Sequence, residues 1–363
     1  MQILLGSFYF FYFGVVGVYV IFLPKVLSLL EYSSSEIGIL FAASPLVRFL
    51  LPFAFQYGFS LTKNYFYASL VLMGLSSISF YFTITNFYLF FLCNIAMGVA
   101  MSLILPYLEV IALDTIKKER YGKVRLFGSL GFIFVALVLV RFLDDPYVAV
   151  YYTIFFTFFT ILFAFIIASN KHTTKNQTSS TKTINLLKEW QLWLGLTLMQ
   201  ISFGAFYNFF TIYETAHGIS LSMTINLWVF GVVVEVFMLF FQGKLLQNYS
   251  LVKLLQLSTL SAVLRWFLVF AFPTNLAILF FAQSLHALSF ALFYSAAISY
   301  LHHKYENKVL AQQFFSGVTF GFGGLVGSIM FGYIYTYYQN YIFLVAATIA
   351  FAATLLLLKL KDK

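Results

Sequence analysis

Six ionisable side chains lie inside long apolar stretches of this sequence. They are its main candidates for solute binding and proton transfer. They are Arg48, Glu109, Arg125, Glu235, Arg265 and His286. A charged side chain at the centre of a membrane-spanning helix costs about 2.5–3.5 kcal/mol on insertion scales, so it usually faces the protein interior and a partner. Such residues are expected to pair with one another, bind a solute or move protons.

Glu109 and Arg125 stand on either side of a short basic loop. The stretch 106–132, PYLEVIALDTIKKERYGKVRLFGSLGF, is the end of one apolar run, the loop, and the start of the next run. Both residues therefore fall near or inside membrane depth. We expect them to form an ion pair with each other.

The second half of the chain offers Glu235 in VVVEVF, Arg265 in VLRWF and His286 in QSLHALSF. A carboxylate at that depth must be protonated, paired or open to a water-filled cavity. Imidazole, with an ordinary pKa of about 6.5, suits a proton relay. We predict proton coupling by Glu235 with His286, with Arg265 nearby. A structural carboxyl and a hydrogen-bonded packing histidine are the alternatives.

Other candidate site residues are Arg48, Tyr207 and Asn208. Arg48 lies between Pro45 and Pro52. It either extends to the membrane interface as a structural residue or lines a cavity and attracts an anion. Most of the 48 Phe and 25 Tyr residues are expected to pack or face lipid, and a minority to line the cavity. Tyr207, Tyr213 and Tyr107 are examples of that minority, and Asn208, next to Tyr207, could line the same cavity.

The composition, 62% hydrophobic and 9% charged, is that of an all-α integral membrane protein. Apolar runs of about 20 residues favour helices over barrel strands. Residues 1–169 and 191–363 form two six-helix halves joined by a polar cytoplasmic linker, 170–190. The predicted spans are 3–30, 36–58, 65–84, 87–113, 122–143, 147–169, 191–215, 221–243, 251–272, 275–301, 309–337 and 340–358.

Charge in the loops predicts orientation. Lysine and arginine concentrate in alternate loops and in the C-terminal tail, while the opposite loops carry acids such as Glu31, Glu36, Asp145 and Glu214. By the positive-inside rule both termini are cytoplasmic. The net charge of +9 thus reflects topology and predicts no nucleic-acid partner.

Several function classes have no support in the sequence. There is no phosphate-binding G-x-x-x-x-G-K-[ST] motif, and His302 and His303 lack helical metal-binding partners. Cys93 is alone and predicts a packing role. We expect a monomer without metal or cofactor, and not an enzyme.

The pattern P-x-x-E followed by YGKVRLFGSLGF resembles the proton-coupled permeases of the major facilitator superfamily. So do V-V-x-E-V, R-W and Q-x-L-H in the second half. The phenylpropionate-type branch is closer than lactose permease. The resemblance implies a substrate site near the midplane between the halves, and substrate contact by Glu109 and Arg125.

Four departures from the family pattern accompany this resemblance. The phenylpropionate-type branch has Asp where Glu109 stands. Ser289 occupies the position of a proton-carrying Glu in lactose permease, and ISFGAFYNFF lacks that protein's acid. Of the superfamily's gating signature after the second helix, only Gly58 and Lys63 remain.

The function predicted is secondary transport by alternating access. We expect a proton symporter of a bacterial cytoplasmic (inner) membrane that imports a small organic solute, with an aromatic or other small carboxylate favoured. A sugar or nucleoside proton symporter, and a solute sensor on the same fold, are the alternatives.

Overall fold

Helices and short connections account for all of the residues that the computed structural model describes, which are 1–56, 61–116, 118–143, 145–170 and 184–360. No β-strand occurs in those ranges. The first half contains α1 (Gln2–Leu29), α2 (Ser34–Gln56), α3 (Lys63–Thr83), α4 (Phe87–Thr115), α5 (Lys118–Leu139) and α6 (Pro146–Ser169).

The second half contains α7 (Trp190–Ala216), α8 (Leu221–Asn248), α9 (Leu251–Ala271), α10 (Leu276–Lys304), α11 (308–338) and α12 (Ile342–Leu357). Three helices include a wider π-helical turn, at Val18–Phe22 in α1, Ala287–Leu292 in α10 and Phe315–Phe322 in α11. Such turns are frequent at functional sites, and the one in α10 directly follows His286.

Short polar residues mark where most of the helices begin. Each accepts a hydrogen bond in its side chain from a backbone N–H of the first turn, which would otherwise lack a partner. These N-cap residues are Thr62, Asn86, Asp145, Ser220, Ser250, Asn275 and Asn307. The caps explain why the predicted bounds of the spans agree so closely with the helices.

The chain divides into two compact units, Met1–Thr178 and Ser179–Lys363. In the first unit α1 packs on α5 and α6, α4 packs on α2 and α3, and α3 packs on α6. In the second unit α7 packs on α11 and α12, α10 on α8 and α9, and α9 on α12. Each pair of the first unit thus recurs six helices later, as expected for a parallel repeat.

Ten stretches of the described residues are apolar and long enough to cross a membrane. They include α11 and α12 as one stretch, Lys308–Leu357, and do not include α7. A count of twelve crossings stays a prediction. Most of the predicted linker, 171–183, and Gly58 lie outside the described residues.

Glycines allow some of the helices to pack closely. A Cβ atom on Gly131 of α5 would lie 1.9 Å from the carbonyl oxygen of Phe10 on α1. On α11, a Cβ on Gly327 would lie 2.8 Å from the carbonyl oxygen of Ile201 on α7. Both contacts involve backbone, so a side chain would force the helices apart.

One expectation from the loop charges was wrong. Glu214 is not in a loop, because α7 continues to Ala216 and closes with a C-terminal turn. The N–H of Ile219 donates to the carbonyl oxygen of Glu214 at 3.1 Å, with Gly218 at a positive φ of 86°. The side chain of Glu214 is fully buried in consequence.

Candidate functional site

Glu109 and Arg125 form the predicted ion pair in the first unit. Arg125 Nε lies 3.4 Å from Glu109 Oε1, across α4 and α5. Their side chains keep 32% and 34% of their surface exposed, respectively. The pair is thus half-open, and a ligand could reach either group without first breaking a packed core.

Aromatic rings of α1 form one wall of this pair. The Arg125 guanidinium carbon lies 4.4 Å from the ring centroid of Phe13 and 5.1 Å from that of Tyr9. Tyr121, four residues before Arg125 on α5, interacts with Glu109, Arg125 and Tyr9. A cation held over aromatic faces keeps its charge available to an anion on the other side.

Arg48 and Tyr107 were the other candidates in the first unit. Arg48 lies on α2 with an exposed side chain, which fits either of the two roles that its position allowed. Tyr107 is buried, and its ring stacks on Phe66 with centroids 4.2 Å apart. Tyr107 therefore packs in the interior of the first unit.

Arg265 is the centre of the cluster in the second unit and is fully buried. Its NH2 group donates to Gln283 Oε1 at 2.6 Å, and its NH1 group to His286 Nδ1 at 2.7 Å and Ser289 Oγ at 3.4 Å. The guanidinium lies over the rings of Phe206, at 4.3 Å, and Trp266, at 4.5 Å. Its partners are all neutral acceptors or rings.

His286 stands between Arg265 and Glu235. Its Nε2 lies 3.2 Å from Glu235 Oε2, on α8. A guanidinium can only donate, so His286 Nδ1 must accept, and the one proton of a neutral imidazole must be on Nε2. The Nε2–H then donates to Glu235. Arg265 is thus connected to Glu235 through the imidazole of His286.

This arrangement decides where another proton can be taken up. A proton on His286 Nδ1 would point at the N–H donor of Arg265, 2.7 Å away. The carboxylate of Glu235 meets no such obstacle, and 22% of its side-chain surface is exposed. In this conformation an N–H of Arg265 occupies His286 Nδ1, whereas the carboxylate of Glu235 keeps an exposed edge.

Asn208 and Tyr207 differ in their surroundings. Asn208 is buried and donates through Nδ2 to Ser328 Oγ at 2.8 Å, a contact that joins α7 to α11. Tyr207 is half-buried, and its ring centroid lies 6.3 Å from that of Phe290. Phe290 in turn stacks on the His286 imidazole at 5.1 Å. Tyr207 is thus near the cluster, whereas Asn208 holds two helices together.

Sequence reasoning missed the roles of Gln283 and Ser289. Gln283 precedes His286 by three residues, so the Q-x-L-H pattern placed both on one helix face. That spacing was the signal that could have identified Gln283. Ser289 follows by another three residues and faces Arg265, where it accepts a hydrogen bond.

No group of three or more metal-ligating side chains occurs among the described residues. The side chain of His303 contacts the carbonyl oxygen of Ser299 at 2.7 Å, as a residue at a helix end does.

A model of the MFS_1 like family, a family of the major facilitator superfamily, matches residues 2–345. The chain belongs to this family. The resemblance noted in the motifs is thereby confirmed.

Two relatives of this MFS_1-like protein are transporters by name. A probable 3-phenylpropionic acid transporter of Escherichia coli (strain K12) is 29% identical over 251 residues, which cover 65% of this chain and 64% of the relative. The match thus spans less than two thirds of that protein. An uncharacterized transporter of Bacillus subtilis (strain 168), YwbF, is 26% identical, and the match covers 98% of this chain and 93% of that protein.

Solved structures of the same fold are also transporters. The nucleoside transporter NupG superposes with a TM-score of 0.81 at 16% identity, over 99% of both chains. A D-xylose-proton symporter gives a TM-score of 0.73 at 13% identity, over 99% of this chain and 97% of that one. The MFS_1-like protein is an integral membrane transporter with the all-α major facilitator fold, and it is not an enzyme.

Proposed function

We propose that this MFS_1-like protein is a proton symporter that imports a small carboxylate, preferably an aromatic one, by alternating access. The proposal rests on the chain of contacts from Glu235 through His286 to the buried Arg265. It connects a half-open carboxylate with a cation that is fully buried among neutral partners. Such a chain can link proton uptake to anion binding.

The link follows from charge balance. With Glu235 ionised, the charge of Arg265 is compensated at the far side of the imidazole. When Glu235 takes up a proton, the buried guanidinium loses its counterion, and an uncompensated buried charge costs about 3–5 kcal/mol. A carboxylate solute bound at the exposed edge of Glu235 restores neutrality. The proton therefore binds first and the anion second.

Aromatic solutes are favoured because rings surround both groups of ionisable residues. Phe290 and Tyr207 lie beside His286, and Phe13 and Tyr9 lie beside Arg125. The name of the relative from Escherichia coli, a probable 3-phenylpropionic acid transporter, agrees with this chemistry. In the first unit Arg125 and the exposed Arg48 would attract the carboxylate, and Glu109 would orient Arg125.

Reconstitution into liposomes tests the proposal with radiolabelled 3-phenylpropionate, D-xylose and uridine as probes. An outside-acid pH gradient should drive accumulation of 3-phenylpropionate, and a protonophore should abolish it. One proton with one monocarboxylate carries no net charge. A membrane potential without a pH gradient should therefore drive no uptake.

The alternatives give different results in the same vesicles. A neutral sugar or nucleoside carried with a proton moves charge, so D-xylose or uridine would accumulate in response to an inside-negative potential. A sensor would bind a probe, detected as a thermal shift, without accumulating it. Either outcome would overturn the carboxylate symporter.

The proposal also includes a bacterial cytoplasmic membrane and a monomeric protein. It places both termini in the cytoplasm because of the charge bias of the loops. Reporter fusions made after Lys182 and after Lys363, two positions outside the described residues, should both report a cytoplasmic location. A reporter outside the cytoplasm at either position would contradict the twelve-span topology.

A further inference from the structure

Glu214 is a buried carboxyl that the proposed transport cycle does not use. It is fully buried, and neither carboxyl oxygen has a hydrogen-bond partner among the described residues. An ionised carboxylate in such a place would need a cation or several hydrogen bonds to offset its desolvation. Glu235, by comparison, has both an exposed edge and the imidazole of His286.

The surroundings of Glu214 supply no counterion. Tyr213 of the same helix and Tyr335 of α11 are the titratable groups that face it. Tyr213 lies against Phe343 of α12, with ring centroids 4.8 Å apart. His217, just beyond the helix, contacts the carbonyl oxygen of Tyr213 at 2.8 Å through Nδ1. No ion pair to Glu214 occurs within the part of the chain that the structure describes.

The position of Glu214 gives it a short path to water. Ala216 ends α7 two residues later and is exposed, and Gly218 in the closing turn is exposed as well. Gly218 occupies the left-handed region that closes the helix end. Loosening of that one turn would bring solvent to the carboxyl.

We propose that Glu214 is a second proton-binding site, separate from the Glu235 cluster. It holds a proton while the end of α7 is packed, and it releases that proton when the closing turn opens to water. The proton returns to the side of the membrane from which it came. Its binding therefore changes the equilibrium between the packed and the open end of α7, and it does not drive accumulation of the solute. This inference does not depend on the substrate or on the proposed symport.

Infrared difference spectroscopy on the purified protein tests the bound proton. A carboxylic acid shows a carbonyl stretch that a carboxylate lacks. That band should be present at neutral pH in the wild type, Glu235→Gln and the exposed-carboxyl control Glu31→Gln. It should be reduced in Glu214→Gln and in Glu214→Met, whose apolar side chain has a similar length. Identical spectra for the wild type and both Glu214 variants would overturn the proposal.

Thermal unfolding provides an independent reading. The folded wild type holds a proton that the unfolded chain releases, so its Tm should fall relative to that of Glu214→Gln as the pH rises from about 5 to 8. Glu31→Gln should follow the wild type. If replacing potassium by sodium raises the wild-type Tm but not that of Glu214→Gln, a metal cation occupies the carboxyl, and the proton site is wrong.

Discussion

The ionisable residues of the two units differ in burial, although the helices that carry them pack in the same pattern. In the first unit Glu109 and Arg125 meet directly, and each side chain keeps about a third of its surface exposed. In the second unit Arg265 is fully buried and reaches Glu235 through His286. The repeated packing thus supports one pair suited to contact with a solute and one cluster suited to storing a proton.

The two units also differ in charge at one matching position of the repeat. Arg48 of α2 and Glu235 of α8 each lie fourteen residues after the first residue of their helices, Ser34 and Leu221. The first unit has an exposed cation there, and the second has a carboxylate bound to imidazole. The proposed division into an anion-attracting and a proton-binding unit thus corresponds to opposite charges at matching positions of the repeat.

Among the variants considered, Arg265→Gln should cause the largest loss of stability. It removes donors to His286, Gln283 and Ser289 at a fully buried site, so the free energy of unfolding should fall by about 3–5 kcal/mol. Chemical denaturation or thermal unfolding in detergent measures this. Lys253→Gln, on the exposed side of the same helix, is the control and should change stability by less than about 0.5 kcal/mol. An Arg265→Gln protein as stable as the control would contradict the buried-cluster account.

The pair in the first unit should behave in the opposite way. Glu109→Gln and Arg125→Gln are expected to change stability by no more than about 1 kcal/mol, because half-open ion pairs contribute little. Both should lose detectable solute binding, measured as the thermal shift caused by 3-phenylpropionate. Normal binding by both variants would remove the pair from the site.

Arg48→Gln should have a smaller effect on binding. Its exposed charge attracts the carboxylate without a fixed contact, so affinity should fall several-fold and more at low ionic strength than at high. Binding titrations at two salt concentrations measure the difference. A loss of affinity that is independent of salt would indicate a direct contact instead.

The smallest effect is expected from Ser289→Ala. Its contact with Arg265 is long, at 3.4 Å, and the guanidinium keeps its shorter bonds to His286 and Gln283. Stability should fall by about 1 kcal/mol or less, with transport unchanged. A loss of transport in Ser289→Ala would show that Ser289 has a larger role than hydrogen bonding to Arg265.

The helices and the pairing of Glu109 with Arg125 could be predicted because both depend on local features. Apolar runs end at capping residues, and the two charges lie on consecutive helices joined by a short loop. The position of His286 between Glu235 and Arg265 depends on how α8, α9 and α10 pack. Hydropathy gives no information on that packing.

One error in the sequence interpretation has a physical cause. Glu214 was assigned to a loop because polarity alone was considered. The closing turn at Gly218 extends α7 and buries Glu214, while Ser328 on α11 takes up the amide of Asn208. Burial and partners from other helices decide the role of a polar residue in a membrane helix.

We propose that Glu235 carries the coupling proton while Arg265 keeps His286 neutral. The most direct test compares Glu235→Gln with the wild type in vesicles, using the probe that gives the largest thermal shift. The amide oxygen of Gln still accepts from His286 Nε2–H, and the variant corresponds to the protonated state. It should exchange solute across equal concentrations at near wild-type rates and fail to accumulate it under an imposed pH gradient. Accumulation equal to that of the wild type would contradict the claim.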